Sequence, residues 1–402
     1  MLSSAARIYK NAYSGLSRET WLLSLVMLIN RSGTMVLGFM TLYAVDGLGL
    51  KVSQAGTIMA FFGAGSIVGA YFGGRITDKF GFHSLQVGAL FTGGLMFIVV
   101  GYLREFIPLC IGTFFLSLCN ESFRPANSTA IAHYSTIENR TRSYSLNRLA
   151  INLGWAVGGA LGGFLAEINY QLLFWVDGFT NIGAAVLMFV LLKPKKQTVS
   201  VVKQHLKVSS SPYRDAKYMF FIVMVILFAM CFLQLFGMQT LFLEQEWSLT
   251  KRSIGILMAI NGLLIAFIEM ILVYYLEKRR TVLYYIRVGA LLTGVGYVLL
   301  NVLPANFYAA VFVVILITIG EIFVLPFMNT YWISRTTETN RGSYAALYTM
   351  AWSAAHVIAP TFGSQVVEYS GFNILWWLIG GICIVVVLGN YYLERKTTAG
   401  NR

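Results

Sequence analysis

Long apolar stretches separated by short polar breaks dominate the chain, and the stretches have the length of a bilayer crossing. A membrane-spanning helix needs roughly 20 mostly apolar residues. Twelve windows meet that length: 20–44, 55–75, 84–103, 106–131, 144–166, 171–192, 217–243, 252–276, 283–303, 306–331, 342–367 and 372–394. The polar connections are short except for 193–216, which opens on Lys193-Pro194-Lys195-Lys196 and runs through Ser209-Ser210-Ser211-Pro212. The pattern predicts an all-α integral membrane protein of 12 transmembrane helices. Residues 1–192 form an N-terminal six-helix bundle, 193–216 a cytoplasmic linker and 217–402 a C-terminal six-helix bundle.

Basic residues orient these spans. With both termini cytoplasmic, 23 of the 30 Lys and Arg fall on the inner side, span ends included. Four, Lys51, Arg104, Lys251 and Arg252, fall in outer loops, and Arg31, Arg124 and Arg148 lie inside spans. This is the asymmetry of the positive-inside rule. Composition agrees, with 57% hydrophobic and only 12% charged residues. A soluble domain carries about a quarter charged, so a water-soluble enzyme is excluded, and so is a disordered chain. The net charge of +13 is spread over one membrane face, where anionic lipid attracts it, and no basic soluble module is present to hold nucleic acid. The apolar stretch after residue 20 lacks a small-residue cleavage site and reads as a retained span, not a signal peptide.

Cys110, Cys119, Cys231 and Cys383 all fall within spans and form no CxxC, so they read as small apolar fillers. No GxxxxGK(S/T) loop, catalytic triad or metal-ligand spacing occurs, and the histidines number four. The expectation is a protein that is not an enzyme, holds no metal or organic cofactor, and draws energy from a gradient.

The halves resemble each other at an offset of about 200 residues. Glu121 and Pro125 correspond to Glu321 and Pro326; Arg142-Ser143-Tyr144 to Gly342-Ser343-Tyr344; Glu167 and Phe174-Trp175 to Glu368 and Trp376-Trp377. Parallel six-helix repeats are a transporter architecture, with the cargo site between the halves near the midplane.

After span 2 the chain reads Gly74-Arg75-Ile76-Thr77-Asp78-Lys79-Phe80-Gly81-Phe82-His83. This resembles the GxxxD(R/K)xG core of the major facilitator superfamily signature, with His83 and Ser84 replacing the usual basic pair. Its glycines suit a sharp turn and close backbone approach, and Asp78 can face a helix N-terminus. The resemblance implies a gating role for Gly74, Asp78, Lys79 and Gly81, latching the outward-open state. The second half keeps only Glu277-Lys278-Arg279-Arg280. Span 5 carries Gly154, Gly158, Gly162 and Gly163, similar to the GxxxGPxxGG motif of the antiporter branch, with Gly159 at the proline position. Glycines so spaced let helices pack closely in lipid. Ile151-Asn152-Leu153-Gly154 and Phe123-Arg124-Pro125 resemble instead the proton-coupled peptide transporters, whose charged cluster on helix 1 is reduced here to Asn30-Arg31.

Intramembrane charges are functional candidates by default. Glu121, Glu321 and Glu269 are the candidate proton-coupling acids, since such an acid needs burial to hold a proton and a cation to release it. Glu121 and Arg124 are three apart on one face of span 4 and are able to pair. Arg31 and Arg148 are placed to bind either Glu121 or a cargo carboxylate. Asp177 lies about two turns from the outer end of span 6. Span 5 presents Tyr144, Arg148, Asn152 and Trp155 at helical spacing, and span 11 presents Tyr344, Tyr348, Trp352 and His356. The expected cargo-binding set is Arg31, Arg124, Arg148, Asn152, Tyr348, Trp352 and His356, with Tyr144 and Tyr344 as interface anchors.

The expected function is a proton-coupled secondary transporter exporting small amphipathic organic compounds by alternating access. A proton-coupled importer of peptides or related zwitterions is the alternative. A receptor or lipid-binding protein without transport is a third reading, against which the intramembrane acids argue. The proton is the coupling ion; no cluster of small polar residues and no unwound-helix signal points to sodium. A monomer in the bacterial inner membrane, with both termini cytoplasmic, completes the expectation.

Overall fold

The computed structural model describes residues 15–136, 139–192, 212–276, 279–335 and 341–399, and every regular element among them is helical. Most of the linker and both chain ends lie outside the described residues. Span 1 comprises helices Arg18–Ser32 and Met35–Leu42 with a π-turn at Tyr43–Gly47. Spans 2 to 6 are Val52–Phe80, Phe82–Tyr102, Phe106–Tyr134, Arg140–Ile168 and Tyr170–Leu191. Span 7 comprises Ala216–Leu233 and Met238–Gln245 joined by a 3-10 turn. Spans 8 to 10 are Lys251–Leu276, Val282–Leu299 and Phe307–Ser334. Spans 11 and 12 run through Arg341–Ala399, divided where Gly371 takes φ 82°. Their merger leaves, among the described residues, 11 continuous segments long and apolar enough to cross a membrane; the bend at Gly371 restores the twelfth.

Local chemistry sets the span ends. The side chains of Ser17, Asn169, Thr281 and Asn306 cap helix starts by accepting backbone N–H groups, which satisfies donors that helix geometry leaves free. Gly81 turns span 2 into span 3 at φ 85°, a left-handed conformation that favours glycine. Pro125 and Pro326 sit inside spans 4 and 10 at matching positions. Phe174 and Trp376 are fully buried in spans 6 and 12, while their neighbours Trp175 and Trp377 are exposed, so the repeat extends to the packing pattern.

Spans 1 and 7 depart from the sequence expectation of unbroken helices. In span 1 the break falls at Gly33-Thr34. There the Asp177 carboxylate accepts from the Val36 N–H at 2.8 Å, and Asn181 Nδ2 donates to the Gly33 carbonyl at 2.8 Å. Asn30 donates to Asn181 at 2.6 Å. In span 7 the break falls at Gly237, and Gln234 Nε2 donates to the Ala359 carbonyl at 2.9 Å. Backbone groups freed in lipid need such partners: span 6 supplies them to span 1, and in span 7 the Gln234 side chain also serves the Met230 carbonyl of its own span at 3.2 Å. The sequence reading found no unwound-helix signal, and the structure places a break in each of these two spans.

Within the first half span 1 packs on spans 5 and 6, span 2 on span 4, and span 3 on spans 4 and 6; in the second half span 9 packs on spans 10 and 12 and span 8 on span 10. The halves meet where span 5 lies on span 8 and span 2 on span 11. At the face opposite the termini they are tied together by charge. Lys251 pairs with Asp46 at 2.6 Å and Glu244 at 3.6 Å, Tyr170 donates to Asp46 at 2.9 Å, and the Ser53 N–H donates to Glu368 at 2.7 Å.

At the termini-bearing face, Asp215 caps span 7 and accepts from Arg335 at 2.7 Å and from the Tyr344 hydroxyl at 3.2 Å. Burial works to lower the Arg335 pKa, but its bonds to Asp215 win and the net shift is upward. Tyr344 is 3% exposed, which corrects its reading as an interface anchor: its hydroxyl has a carboxylate to serve inside the bundle. Tyr144, by contrast, is exposed, and its hydroxyl donates to the Ser128 carbonyl of span 4 at 2.9 Å.

Candidate functional site

Two acid clusters lie near the middle of the spans, one built on each half, and each draws a partner from the opposite half. In the first, Glu121 of span 4 accepts from Arg124 at 3.0 Å and lies 3.9 Å from Arg31 of span 1. The i, i+3 spacing brings the first pair together; the break in span 1 leaves Arg31 beside it. His356 of span 11, in the other half, lies within electrostatic reach of both Glu121 and Arg124. Its Nδ1 is 2.9 Å from the Trp352 carbonyl.

In the second cluster Glu269 of span 8 forms an ion pair with Arg148 of span 5, across the cleft between the halves. Glu321 of span 10 accepts from Asn261 at 3.2 Å, and Asn261 also donates to Thr318 at 2.9 Å. Arg148 and Glu269 both lie within electrostatic reach of Glu321. A buried charge is costly without a partner, and each of the three acids has a donor.

Exposure separates the acids from two of the three arginines. The side chains of Glu121 and Glu269 are 12% and 8% exposed, against 65% for Arg124 and 46% for Arg148. Arg31 is covered and, with Thr34, Met59, Phe97 and Glu121, lines a cavity inside the first half. Aromatic rings continue the wall. Trp155 meets Phe236 across the cleft at 5.5 Å, Phe232 meets Trp352 at 6.0 Å, and Trp332 stacks on Tyr348 at 6.0 Å. Of the expected cargo set, Arg31, Arg124 and His356 gather at Glu121, while Arg148 and Tyr348 gather on the side of Glu269 and Glu321. Asn152 is half-buried one turn from Arg148.

The span 5 glycines face two ways. A Cβ at Gly154 would meet Arg31, one at Gly158 would meet Ser32, and one at Gly162 would meet Met35 and Phe39, all in span 1. A Cβ at Gly159 would meet Met258 at 2.6 Å and one at Gly163 would meet Gly255 at 2.7 Å, both in span 8. The motif thus lines the break in span 1 on one side and the cleft on the other. In the gating motif Gly81 makes the turn, but Gly74 has nothing within 4 Å of a built Cβ, so the close approach expected of it is absent in this conformation. Lys79 is exposed. The side chain of Asp78 and residues 277–278 lie outside the described residues.

Sequence reasoning left Asp177 without a role, although it caps the second helix of span 1. It also left unread the Lys251, Asp46, Glu244 and Tyr170 cluster. The signals were present: Ser32-Gly33-Thr34 inside an apolar window, and an acid on the span 6 face that recurs every four residues as Asp177 and Asn181.

Residues 21–360 match the family model of the Major Facilitator Superfamily. The chain belongs to this family of membrane transporters and is a multi-pass membrane protein that acts in transport rather than as an enzyme. A Na(+), Li(+), K(+)/H(+) antiporter of Planococcus maritimus is 24% identical, over 93% of this chain and 95% of its own. Multidrug resistance protein 2 of Bacillus subtilis (strain 168) is 22% identical over 87% and 89%, and the quinolone resistance protein NorA of Staphylococcus aureus (strain MSSA476) 23% over 90% and 94%. Among solved structures, a POT family transporter in complex with 5-aminolevulinic acid superposes with a TM-score of 0.80 at 14% identity, covering 96% of this chain and 97% of that one. A bacterial homolog of the human lysosomal transporter Spinster superposes with a TM-score of 0.76 at 12% identity, covering 94% and 96%. These likenesses establish the shared fold.

Proposed function

We propose that the protein is a proton-coupled secondary transporter that exports small amphipathic organic compounds by alternating access, as a monomer in the bacterial inner membrane. The observation that carries this reading is the exchange of charged partners across the cleft. Arg148 of the first half serves Glu269 of the second, and His356 of the second faces Glu121 of the first. Protonating Glu269 removes the charge that holds Arg148, so proton uptake loosens one half from the other. The efflux direction rests on the relatives named for multidrug and quinolone resistance and on the glycine motif of span 5.

With the basic loop face taken as cytoplasmic, the ties at Asp46, Lys251 and Glu368 lie outside, and the conformation is closed outward. In this reading Asp78 latches the opposite state. Import of peptides or related zwitterions stays the second reading, favoured by the open guanidiniums of Arg124 and Arg148.

The test is proton movement in proteoliposomes loaded with a pH-sensitive dye. Cargo should drive proton flux in the wild type, and Glu121→Gln and Glu321→Gln should each abolish flux while the protein stays folded. Full coupling in both variants would sink the proposal. Flux driven by Na⁺ or K⁺ without any organic cargo would replace organic export with cation exchange.

A further inference from the structure

The central cleft offers cargo an uneven choice of charge. Its three acids are covered: Glu121 is 12% exposed at its side chain, and Glu269 and Glu321 lie at 8%. Each already accepts from Arg or Asn. Of its arginines Arg31 is covered, whereas two are exposed, Arg124 at 65% and Arg148 at 46%, each while paired with its acid. They stand on neighbouring spans of one half, whose faces are joined one turn away by the Tyr144 hydroxyl donating to the Ser128 carbonyl. Guanidinium forks bind carboxylates bidentately and also stack on rings. The rings lie opposite: Arg148 is within electrostatic reach of Tyr348, Tyr348 stacks on Trp332, and Trp352 continues the same face of span 11.

We infer that the cargo is an organic anion with a flat apolar body, its acid group held by the exposed guanidinium of Arg148, the arginine on the side of Tyr348, and its body against Trp332, Tyr348 and Trp352. A lipophilic cation entering this cleft meets two exposed guanidiniums, each paired with a covered acid, and among the described residues of the two clusters no exposed carboxylate. The assignment also fixes a linkage. Glu121 and Glu269 are paired with Arg124 and Arg148, so a proton taken up by either acid frees its arginine for an anion. The proton and an anion therefore strengthen each other's binding, the coupling is reciprocal, and such a linkage moves the two together, in the import direction of the second reading. Only this linkage rests on the proton-coupled reading; the charge preference does not.

The experiment uses three probes on one skeleton: 2-naphthoate, 2-naphthamide and 2-naphthylmethylamine. Binding to the full chain in detergent is read by tryptophan fluorescence. Naphthoate should bind about tenfold tighter than the amide, as charged hydrogen bonds imply, with the amine weakest. Arg148→Gln should bring the naphthoate-to-amide affinity ratio close to one, and Arg124→Gln should lower it less. The wild-type ranking decides the matter even if a variant fails to fold. An amide or amine that binds as tightly as naphthoate overturns the inference, and so does the absence of binding by all three. Proteoliposome proton flux separates the two readings. Naphthoate that binds without moving protons keeps the anion and removes the coupling, whereas an amine that moves protons keeps the coupling and removes the anion.

Discussion

Asp177 illustrates how one residue makes a break in a membrane helix tolerable. Fully buried, it accepts from the Val36 N–H, and Asn181 beside it takes care of the Gly33 carbonyl. A helix start inside lipid has no water to satisfy its free donors, so the carboxylate stands in for a cap. Asp177→Ala should destabilise the protein by about 1–3 kcal/mol, the range for losing a charged hydrogen bond or a cap. Asp177→Asn keeps an acceptor and should recover most of that. Thermal unfolding in detergent distinguishes the two; equal melting of Asp177→Ala and wild type would show that the cap carries no weight. At the same scale Arg148→Ala leaves Glu269 buried without its partner. It should cost more than the double change Arg148→Ala with Glu269→Gln, because an orphaned buried charge is worse than a missing pair. A double-mutant cycle on melting temperatures reads the difference.

Elements were legible in the sequence to the degree that the bilayer dictates them. The twelve windows follow from the thickness of the hydrocarbon core. The repeat shows in pairs such as Pro125 and Pro326, and the turn at Gly81 in the motif that contains it. The break in span 1 was hidden because its stabilising partner is remote, Val36 depending on Asp177, and in span 7 the Gln234 side chain serves both the local Met230 carbonyl and the distant Ala359. Hydropathy sees an apolar window either way. The charge partners were hidden for the same reason. Glu121 with Arg124 follows from helical spacing, but Arg148 with Glu269 exists only once span 5 lies on span 8. Gly163→Val should block that contact, since its Cβ would meet the Lys251 carbonyl at 2.5 Å and Gly255 at 2.7 Å. The variant should melt lower than wild type. Gly74→Ala meets nothing within 4 Å and should melt no lower. If Gly74 packs closely in the opposite state, its turnover in proteoliposomes should still fall.

At the scale of the whole molecule, the conformation is held by ties at one face. Lys251 alone joins three groups there, pairing with Asp46 and Glu244 and lying 4.7 Å over the Tyr170 ring. Lys251→Met should release the face. Spin labels at positions 51 and 369, both exposed, report it in a background lacking the four native cysteines. The distance distribution should gain a longer component in the variant, and an unchanged distribution would show that packing alone keeps this face shut.

Span 5 has a mechanical consequence for such motion. Its bare glycine edges bear on span 1 in its own half and on span 8 in the other, so it serves as an axle running between two smooth bearings. Knobs seated in holes would oblige the halves to climb over one another in steps. A surface stripped to backbone lets them turn with little friction, and the charged groups beside it, rather than interlocking side chains, are left to decide when they turn.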